Sequence, residues 1–245
     1  LFMASLSLRH LSKTYDNGVN AIRDFTLEIK DKEFMIFAGP VGCGISTVLR
    51  MIAGVEDITE GELLVDGERM NEVPSIDRDM AMIFKNGKLY PQMNIYDNLA
   101  FGLKLKELPA GEIDARIAEV TETLKIGHLL DKMTEDLDEQ ERALVVLGRA
   151  LVKKPKVFLF DEPFSSMSKD VKKHMRELVR ELYEKMHITV VFVTHNSEDI
   201  QNISARIAVM HDGSVQQIGT IGELYDNPAT PYVSEFLGVT AEAVC

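Results

Sequence analysis

G-P-V-G-C-G-I-S-T, residues 39–47, is the stretch of this chain that decides its fold. Loops that cradle phosphate follow the pattern G-x-x-x-x-G-K-[S/T], in which glycines let backbone N–H groups approach the phosphate oxygens. Four residues hold their expected positions: Gly39, Gly44, Ser46 and Thr47. Ile45 stands where the pattern has lysine. The stretch therefore predicts either a phosphate loop without its cation or a tight glycine turn.

The flanking residues predict the strand and the helix that a phosphate loop requires. Phe34 to Ala38 is a short apolar run, which is typical of a strand covered on both faces. Ser46 to Ala53 has apolar residues at helical spacing, and Gly54 follows as a C-cap. Because a phosphate loop lies between a strand and a helix, this context favours phosphate binding.

Two further buried strands end in polar residues. Val157–Phe160 runs into Asp161-Glu162, and Val190–Val193 runs into Thr194-His195. Ligands of parallel α/β sheets bind beyond the carboxyl ends of the strands, so we expect these residues beside the glycine loop. Taken singly, an acidic pair can simply cap a helix, and a histidine can be satisfied at a strand end. Their common order and spacing favour a site.

The rest of the chain alternates strands with helices, which predicts an α/β domain around a mixed, mostly parallel sheet. A helical block from about 95 to 151, broken at Leu108-Pro109, predicts an inserted helical subdomain. The remaining predicted elements are strands at 6–11, 25–29 and 80–84, hairpins at Asp66-Gly67 and Asp212-Gly213, and a helix over 168–185.

Composition limits the classes of function. The 245 residues carry 27 basic and 39 acidic side chains, so the net charge is −12, which argues against nucleic-acid binding. Two cysteines imply no disulfide framework and favour a reducing compartment. No run approaches the ~18 apolar residues of a membrane helix, so any membrane role needs a partner that spans the bilayer.

The residues at the strand ends predict a chemistry. We expect the backbone of Gly42, Cys43 and Gly44 to form a nest for phosphate oxygens. Ser46 would place its hydroxyl on Mg²⁺ with Asp161 as the second anchor. Glu162 would be the base or the water-orienting carboxylate, and His195 would contact the terminal phosphate.

Longer phrases carry a resemblance over nearly the whole chain. They are LRMIAGVEDITEGELLVDGERMNEVP at 49–74, LYPQMNIYDNLAFGLKL at 89–105, VFLFDEP at 157–163, VTH at 193–195 and GTIGELYDNPATPYVSEFLG at 219–238. With them the sequence resembles the nucleotide-binding domain of ABC transporters, closest to the ATPase subunits of carbohydrate importers.

The resemblance implies a RecA-like P-loop core (1–88 and 155–245), an antiparallel β subdomain and a helical subdomain at about 89–154. It implies a cytoplasmic protein, peripheral on the inner face of the membrane through a permease. Two domains, as a homodimer or heterodimer, would sandwich Mg-ATP between one phosphate loop and the other chain's LSGGQ signature. Tyr15 would stack on adenine, and Leu89-Tyr90-Pro91 would receive the permease. The regulatory domain usual in such importers is expected to be absent.

The departures from the family pattern fall on the motifs that do the chemistry. Ile45 replaces the lysine of the phosphate loop, and Lys85 replaces the glutamine that reaches magnesium and the attacking water. Leu137-Asp138-Glu139-Gln140-Glu141 replaces LSGGQ, and Ser168 replaces an aspartate. A hydrogen bond from a charged donor is worth about 1.5–3 kcal/mol, so losing the lysine predicts about 10- to 100-fold weaker ATP binding.

These departures leave four hypotheses. The preferred one is a degenerate domain with weak or no ATP binding and no effective hydrolysis. Others are a working ATP-hydrolysing subunit of a carbohydrate importer, a docking module that needs no nucleotide, and an inactivated or redesigned variant. Lys85 supplying the cation that Ile45 removes is a further alternative, opposed by the repulsion between a lysine and Mg²⁺.

Overall fold

The computed structural model describes residues 4–85, 87–200 and 205–238. Contacts divide the chain into two compact units. Unit 1 holds the described residues up to Met80, Lys156–Glu162 and those from Tyr183 onward, and unit 2 holds Ala81–Pro155 and Pro163–Leu182.

The strands are β1 (Leu6–Thr14), β2 (Asn20–Ile29), β3 (Phe34–Ala38), β4 (Glu60–Val65), β5 (Glu68–Arg69), β6 (Met80–Ile83), β7 (Val157–Asp161), β8 (Thr189–Thr194), β9 (Arg206–His211) and β10 (Ser214–Thr220). The helices are α1 (Ile45–Ala53), α2 (Ile95–Leu105), α3 (Ala110–Leu124), α4 (Glu139–Leu151), α5 (Lys169–Met186), α6 (Ile221–Asp226) and α7 (Pro231–Leu237).

Unit 1 contains an antiparallel sheet with the strand order β2–β1–β4–β5. Apolar residues alternate with polar ones in β1, and Leu6, Leu8 and Leu11 are fully buried. The β4–β5 hairpin turns at Asp66 and Gly67, which both have positive φ (52° and 82°). Such φ values belong to the tight turn whose twist matches the flanking strands. The hairpin predicted at this dipeptide is confirmed.

The second sheet of unit 1 is mixed, with the order β10–β9–β3–β8–β7. β3 pairs parallel with β8 and β9, β7 pairs parallel with β8, and β9 pairs antiparallel with β10. Every residue of β3, β7 and β8 is buried, as expected of strands covered on both faces. The predicted α/β class, with a mostly parallel sheet and a separate antiparallel one, is confirmed.

Helix α1 follows β3 through the glycine loop and is fixed at its C-terminal end. Gly54 takes a left-handed conformation (φ 71°), and its N–H donates to carbonyls of the last turn. The buried guanidinium of Arg78 donates to the carbonyl oxygens of Met51 and Ile52 at 2.8 and 2.9 Å. A cation at a helix C-terminus also offsets the helix dipole. These contacts hold the helix that carries Ser46.

Unit 2 is mainly helical, with α2, α3, α4 and most of α5. The break expected at Leu108-Pro109 is present, because Pro109 is the N-cap of α3. The strand predicted to be buried over 80–84 ends at Ile83, and Phe84 beyond it is 45% exposed. A short apolar run does not reveal on its own whether both faces are covered. The subdomain boundary at about 89–154 stays a prediction.

None of the helices in the described ranges combines the length and apolar character that crossing a bilayer requires.

Candidate functional site

The glycine loop of unit 1 has a backbone that only glycine fits at two positions. A Cβ on Gly39 would lie 2.3 Å from the Met210 carbonyl oxygen. A Cβ on Gly44 would lie 2.5 Å from the Ala21 carbonyl oxygen, and Gly44 has a φ of +97°. Gly42, with a φ of +88°, is exposed and has open space around it. The loop therefore has the tight, left-handed backbone on which anion nests depend.

Cys43 is held within the glycine loop by its own backbone, and its predicted role toward phosphate stays a prediction. Its N–H donates to the Pro40 carbonyl oxygen at 3.2 Å, so this amide already closes a turn within the loop. Its carbonyl accepts from the N–H of Gly213 at 3.0 Å. The thiol is buried, and burial raises its pKa above the ordinary value. The backbone of Cys43 thus joins the loop to Gly213, and its buried side chain is a neutral thiol.

Ile45 is the first residue of α1, and its side chain is only 1% exposed. It belongs to the buried face of the helix, together with Val48 and Leu49. An aliphatic side chain buried in this way offers phosphate no donor and no charge. At the position where the phosphate-loop pattern has lysine, the structure therefore has a buried apolar side chain.

Ser46 and Asp161 lie together, as the sequence predicts. The Ser46 hydroxyl donates to Oδ1 of Asp161 at 2.7 Å. Arg50, one turn further along α1, lies 3.6 Å from the other carboxylate oxygen of Asp161. Arg50 was not among the predicted residues, although its spacing from Ser46 places both on one side of the helix.

Glu162 and His195 also meet in unit 1. Nε2 of His195 lies 3.0 Å from Oε1 of Glu162, and Nδ1 lies 2.7 Å from the Gly39 carbonyl oxygen. A carbonyl oxygen only accepts, so Nδ1–H donates to Gly39, and this hydrogen bond orients the imidazole toward Glu162. Glu162 also has a positive φ of 46°, which costs a non-glycine residue about 1–2 kcal/mol. The predicted base is thus positioned by the histidine.

The oxygen atoms at this site fit a magnesium ion that is bound together with phosphate. Mg²⁺ prefers oxygen ligands and usually takes one or two carboxylates plus substrate phosphates and water. The Ser46 hydroxyl and the Asp161 carboxylate supply such oxygens side by side. Among the residues that the structure describes, no group of three or more His, Cys, Asp or Glu side chains could hold a metal alone. Phosphate would have to complete the ligand set.

Tyr15 directly follows β1 and is half-buried. The ammonium of Lys13 lies 5.1 Å from its ring centroid, and Lys13 pairs with Glu56 at 2.6 Å. The Tyr15 hydroxyl donates to Glu56 at 3.4 Å. These contacts fix the ring; its role toward adenine stays a prediction.

In unit 2 the residues at the LSGGQ positions begin helix α4. Asp138 is the N-cap: its carboxylate accepts from the Glu141 N–H at 2.7 Å, and Glu141 accepts from the Asp138 N–H at 3.1 Å. This is a capping box, which serine and glutamine at these positions would also form. Gln140 is exposed. The acidic residues Asp138, Glu139 and Glu141 thus form a well-capped helix start that carries negative charge.

The stability that Glu141 contributes should depend on pH. The Asp138 N–H, and then the Lys132 ammonium at 3.0 Å, lower the pKa of Glu141 below its ordinary 4.5. A carboxyl with a lowered folded-state pKa stabilises the fold above its unfolded pKa, and that contribution is lost as pH falls through the folded pKa. We expect Glu141→Gln to be less stable than the original near pH 6, and we expect this difference to shrink as pH falls below 4.5. Urea unfolding across this range measures the difference, and a difference that does not change with pH would contradict the prediction.

Glu139, the third acidic residue of the segment 137–141, is hydrogen-bonded to Ser168. Its two carboxylate oxygens accept from the Ser168 N–H at 3.0 Å and from the Ser168 hydroxyl at 2.6 Å. Both stand at positions where the resemblance implies other residues, and both lie in unit 2. Lys85, the fourth departure, also lies in unit 2, whereas Ile45 lies in unit 1. Compensation of Ile45 by Lys85 stays a prediction.

A cleft of about 610 Å³ opens in unit 2 around Tyr90. Its walls combine apolar side chains with four cations: Lys85, Lys88, Arg149 and Lys153. None of the described residues that line it is acidic. Burial, and then the charges of Arg149 and Lys106, lower the pKa of Lys153. A basic cleft in a chain with a net charge of −12 is a local concentration of positive charge.

Buried contacts hold the predicted docking residues beside this cleft. Leu89 is 8% exposed, Tyr90 is 40% exposed, and Pro91 is exposed. Asn98, which is fully buried, accepts from the Tyr90 N–H at 2.8 Å and donates to the Tyr90 carbonyl oxygen at 3.1 Å. The Arg149 guanidinium lies 5.3 Å from the Tyr90 ring centroid. Asn98 and Arg149 were not predicted; a polar residue on the apolar face of α2 was the available signal for Asn98.

Residues 22–165 match the family model described as ABC transporter. This chain belongs to the ABC transporter family. The match covers the glycine loop, the cleft and the Asp161-Glu162 pair.

Curated relatives and solved structures agree. The chain is 45% identical over 239 residues to YcjV of Escherichia coli, an uncharacterised ABC transporter ATP-binding protein. It is 42% identical over 236 residues to the sn-glycerol-3-phosphate import ATP-binding protein UgpC of Bordetella avium, and 43% identical over 239 residues to the oligosaccharides import ATP-binding protein MsmX of Bacillus subtilis. These matches cover 98%, 96% and 98% of this chain but 66%, 65% and 66% of the relatives, so the chain spans slightly less than two thirds of their length.

The fold has a close match among solved structures. The structure of cbiO1 from Clostridium perfringens, part of the ABC transporter complex cbiONQ, superposes with a TM-score of 0.83 over 99% of this chain and 98% of that chain. The two sequences are 22% identical. The likeness confirms the ABC ATPase fold.

Proposed function

We propose that this chain is the ATP-binding-subunit-like domain of an ABC importer whose nucleotide site is degenerate. It would bind Mg-ATP weakly or not at all, and it would not hydrolyse ATP effectively. Buried Ile45 carries this proposal, because the first turn of α1 gives phosphate no charged donor where the family pattern has lysine. In the transition state, where charge builds on the transferred group, the loss of a donor weighs more.

The residues that remain define what weak binding would use. Gly42 and Gly44 would supply backbone N–H groups to phosphate, and Ser46 and Asp161 would hold Mg²⁺, which neutralises developing phosphate charge when bound. The predicted face for a second chain, as a homodimer or heterodimer, carries Asp138, Glu139 and Glu141. At ~4 Å and an effective dielectric near 20, each like-charge contact with a triphosphate would oppose closure by about 4 kcal/mol before screening.

The cleft of unit 2 supports docking on a permease, which would place the chain peripherally on the inner face of a membrane. Its apolar walls and four cations fit a segment that carries both apolar and acidic side chains. Tyr90, which is exposed and held by Asn98, is the central residue of the predicted docking loop. The proposed class is a carbohydrate importer, because MsmX is named for oligosaccharide import and UgpC for sn-glycerol-3-phosphate import.

Two other functions each have a supporting observation. The contacts of Ser46 with Asp161 and of His195 with Glu162 favour a working ATPase subunit. The cleft, which lies wholly in unit 2, favours a docking module that does not use nucleotide.

Reconstitution with permease subunits of carbohydrate importers tests the proposal. We expect co-purification in detergent that survives ATP removal, with turnover below detection. Lys153→Glu combined with Arg149→Glu should abolish co-purification, because both changes would set an acid in the cleft against the acidic side chains proposed for the permease segment. Lys173→Glu with Lys185→Glu, exposed residues of α5, makes the same charge change outside the cleft and should leave co-purification intact. Turnover like that of an intact relative would contradict the degenerate site, and unaffected binding by the cleft variant would contradict this docking surface.

A further inference from the structure

The contact between Glu139 and Ser168 joins the starts of two helices in unit 2. Glu139 is the first residue of α4, and Ser168 directly precedes α5. The Ser168 carbonyl oxygen accepts from the Lys172 N–H at 2.9 Å, so Ser168 occupies the N-cap position of α5. The Glu139 carboxylate accepts from both donors of Ser168, the N–H and the hydroxyl. One side chain thus caps a neighbouring helix.

The charge at the start of α5 explains why an acid is favourable there. A helix N-terminus carries partial positive charge and unsatisfied N–H groups. The first five residues of α5 carry three lysines (Lys169, Lys172 and Lys173) against one acid, Asp170, so the net charge of that end is positive. The carboxylate of Glu139 supplies a negative charge and two acceptors.

The chemistry of the pair requires a donor at position 168. A carboxylate is an acceptor only, whereas a serine hydroxyl donates and accepts. Aspartate at 168, which the family pattern has, would put two carboxylates at a contact that now measures 2.6 Å. The two departures therefore fit each other, and either one alone would conflict with or lose the contact.

We propose that Glu139 and Ser168 are a matched pair in which Glu139 is a positioning residue for the start of α5. Through the hydrogen bonds of Glu139, the segment 137–141 holds the start of α5 in place within its own chain; we call this contact the brace. This role does not depend on nucleotide binding. It also means that the residues at positions 139 and 168 are compatible with each other as a pair.

A double-mutant cycle tests the pair, because the change in Tm caused by Ser168→Asp should depend on the residue at position 139. In the original chain, Ser168→Asp should lower Tm by about 2–4 °C, the shift that a change of 1 kcal/mol gives a chain of this size. In the Glu139→Ala background, Ser168→Asp should be neutral or stabilising, because aspartate is as good an N-cap as serine. The same negative shift in both backgrounds would overturn the proposal.

Hydrogen exchange gives a local readout that a general loss of stability would not mimic. Glu139→Ala should speed exchange of the Ser168 amide about tenfold, which corresponds to about 1.4 kcal/mol. Glu139→Gln, which keeps one acceptor oxygen, should give an intermediate rate. Glu135→Ala removes another exposed acid of unit 2 and should leave that amide unchanged. An unchanged amide in Glu139→Ala, or equal acceleration in Glu135→Ala, would overturn the brace.

Discussion

Ile45→Lys is expected to strengthen binding of Mg-ATP by about 10- to 100-fold, because a charged donor to phosphate is worth about 1.5–3 kcal/mol. The loop backbone needed for this gain is already formed, because Gly42 and Gly44 have positive φ and the Ser46 hydroxyl donates a hydrogen bond to Asp161. Calorimetry should show no binding of the original chain below millimolar ATP and binding at tens of micromolar in the variant.

The same substitution should cost stability. Ile45 is 1% exposed, and removing a buried aliphatic side chain from the core forfeits about 1.5–3 kcal/mol of unfolding free energy. Affinity and stability should thus move in opposite directions, which separates a cation effect from a general improvement of the fold.

Ile45→Met is the matched control for Ile45→Lys. It gives a straight, apolar side chain of similar volume without charge, and such swaps usually cost less than about 1.5 kcal/mol. We expect no gain in affinity for ATP. Micromolar binding by the original chain would show that Ile45 is not decisive, and Lys85 would then be the residue to replace.

The strands and helices of this chain are largely readable from its sequence, because their signals are local. The run Phe34–Ala38, the loop glycines and the C-cap Gly54 each act within a few residues, and the structure has them as predicted. The meeting of Asp161 with Ser46 followed from the rule that parallel strands end at one edge.

Side-chain partners were not readable in the same way. The sequence shows that Ile45 is apolar but not that it is buried, and it shows two changed motifs but not that Glu139 reaches Ser168. These contacts join residues far apart in the chain, and their geometry depends on how the elements pack. The role of Asn98, whose four partners are backbone atoms of the loop before α2, depends on packing in the same way.

Restoring all four altered motifs together is expected to have the largest effect on hydrolysis. The changes are Ile45→Lys, Lys85→Gln, Ser-Gly-Gly-Gln at 138–141, and Ser168→Asp. Removing one donor that stabilises transition-state charge typically costs about 10²–10³ in rate. The acidic signature adds repulsion at the second site, so we expect turnover to rise from below detection by at least about 10³-fold. ATP turnover with permease subunits present is the measurement.

Partial restorations should fail for separate physical reasons. Ile45→Lys alone leaves the three acids Asp138, Glu139 and Glu141 on the face proposed for a second chain, and a restored signature alone leaves the loop without its cation. Ser168→Asp without the change at Glu139 sets two carboxylates against each other. Glu162→Gln in the full restoration is the control, and it should abolish the regained turnover. If the restored chain binds ATP tightly yet does not hydrolyse it, these motifs do not limit the reaction, and the contact of Glu162 with His195 becomes the next place to look.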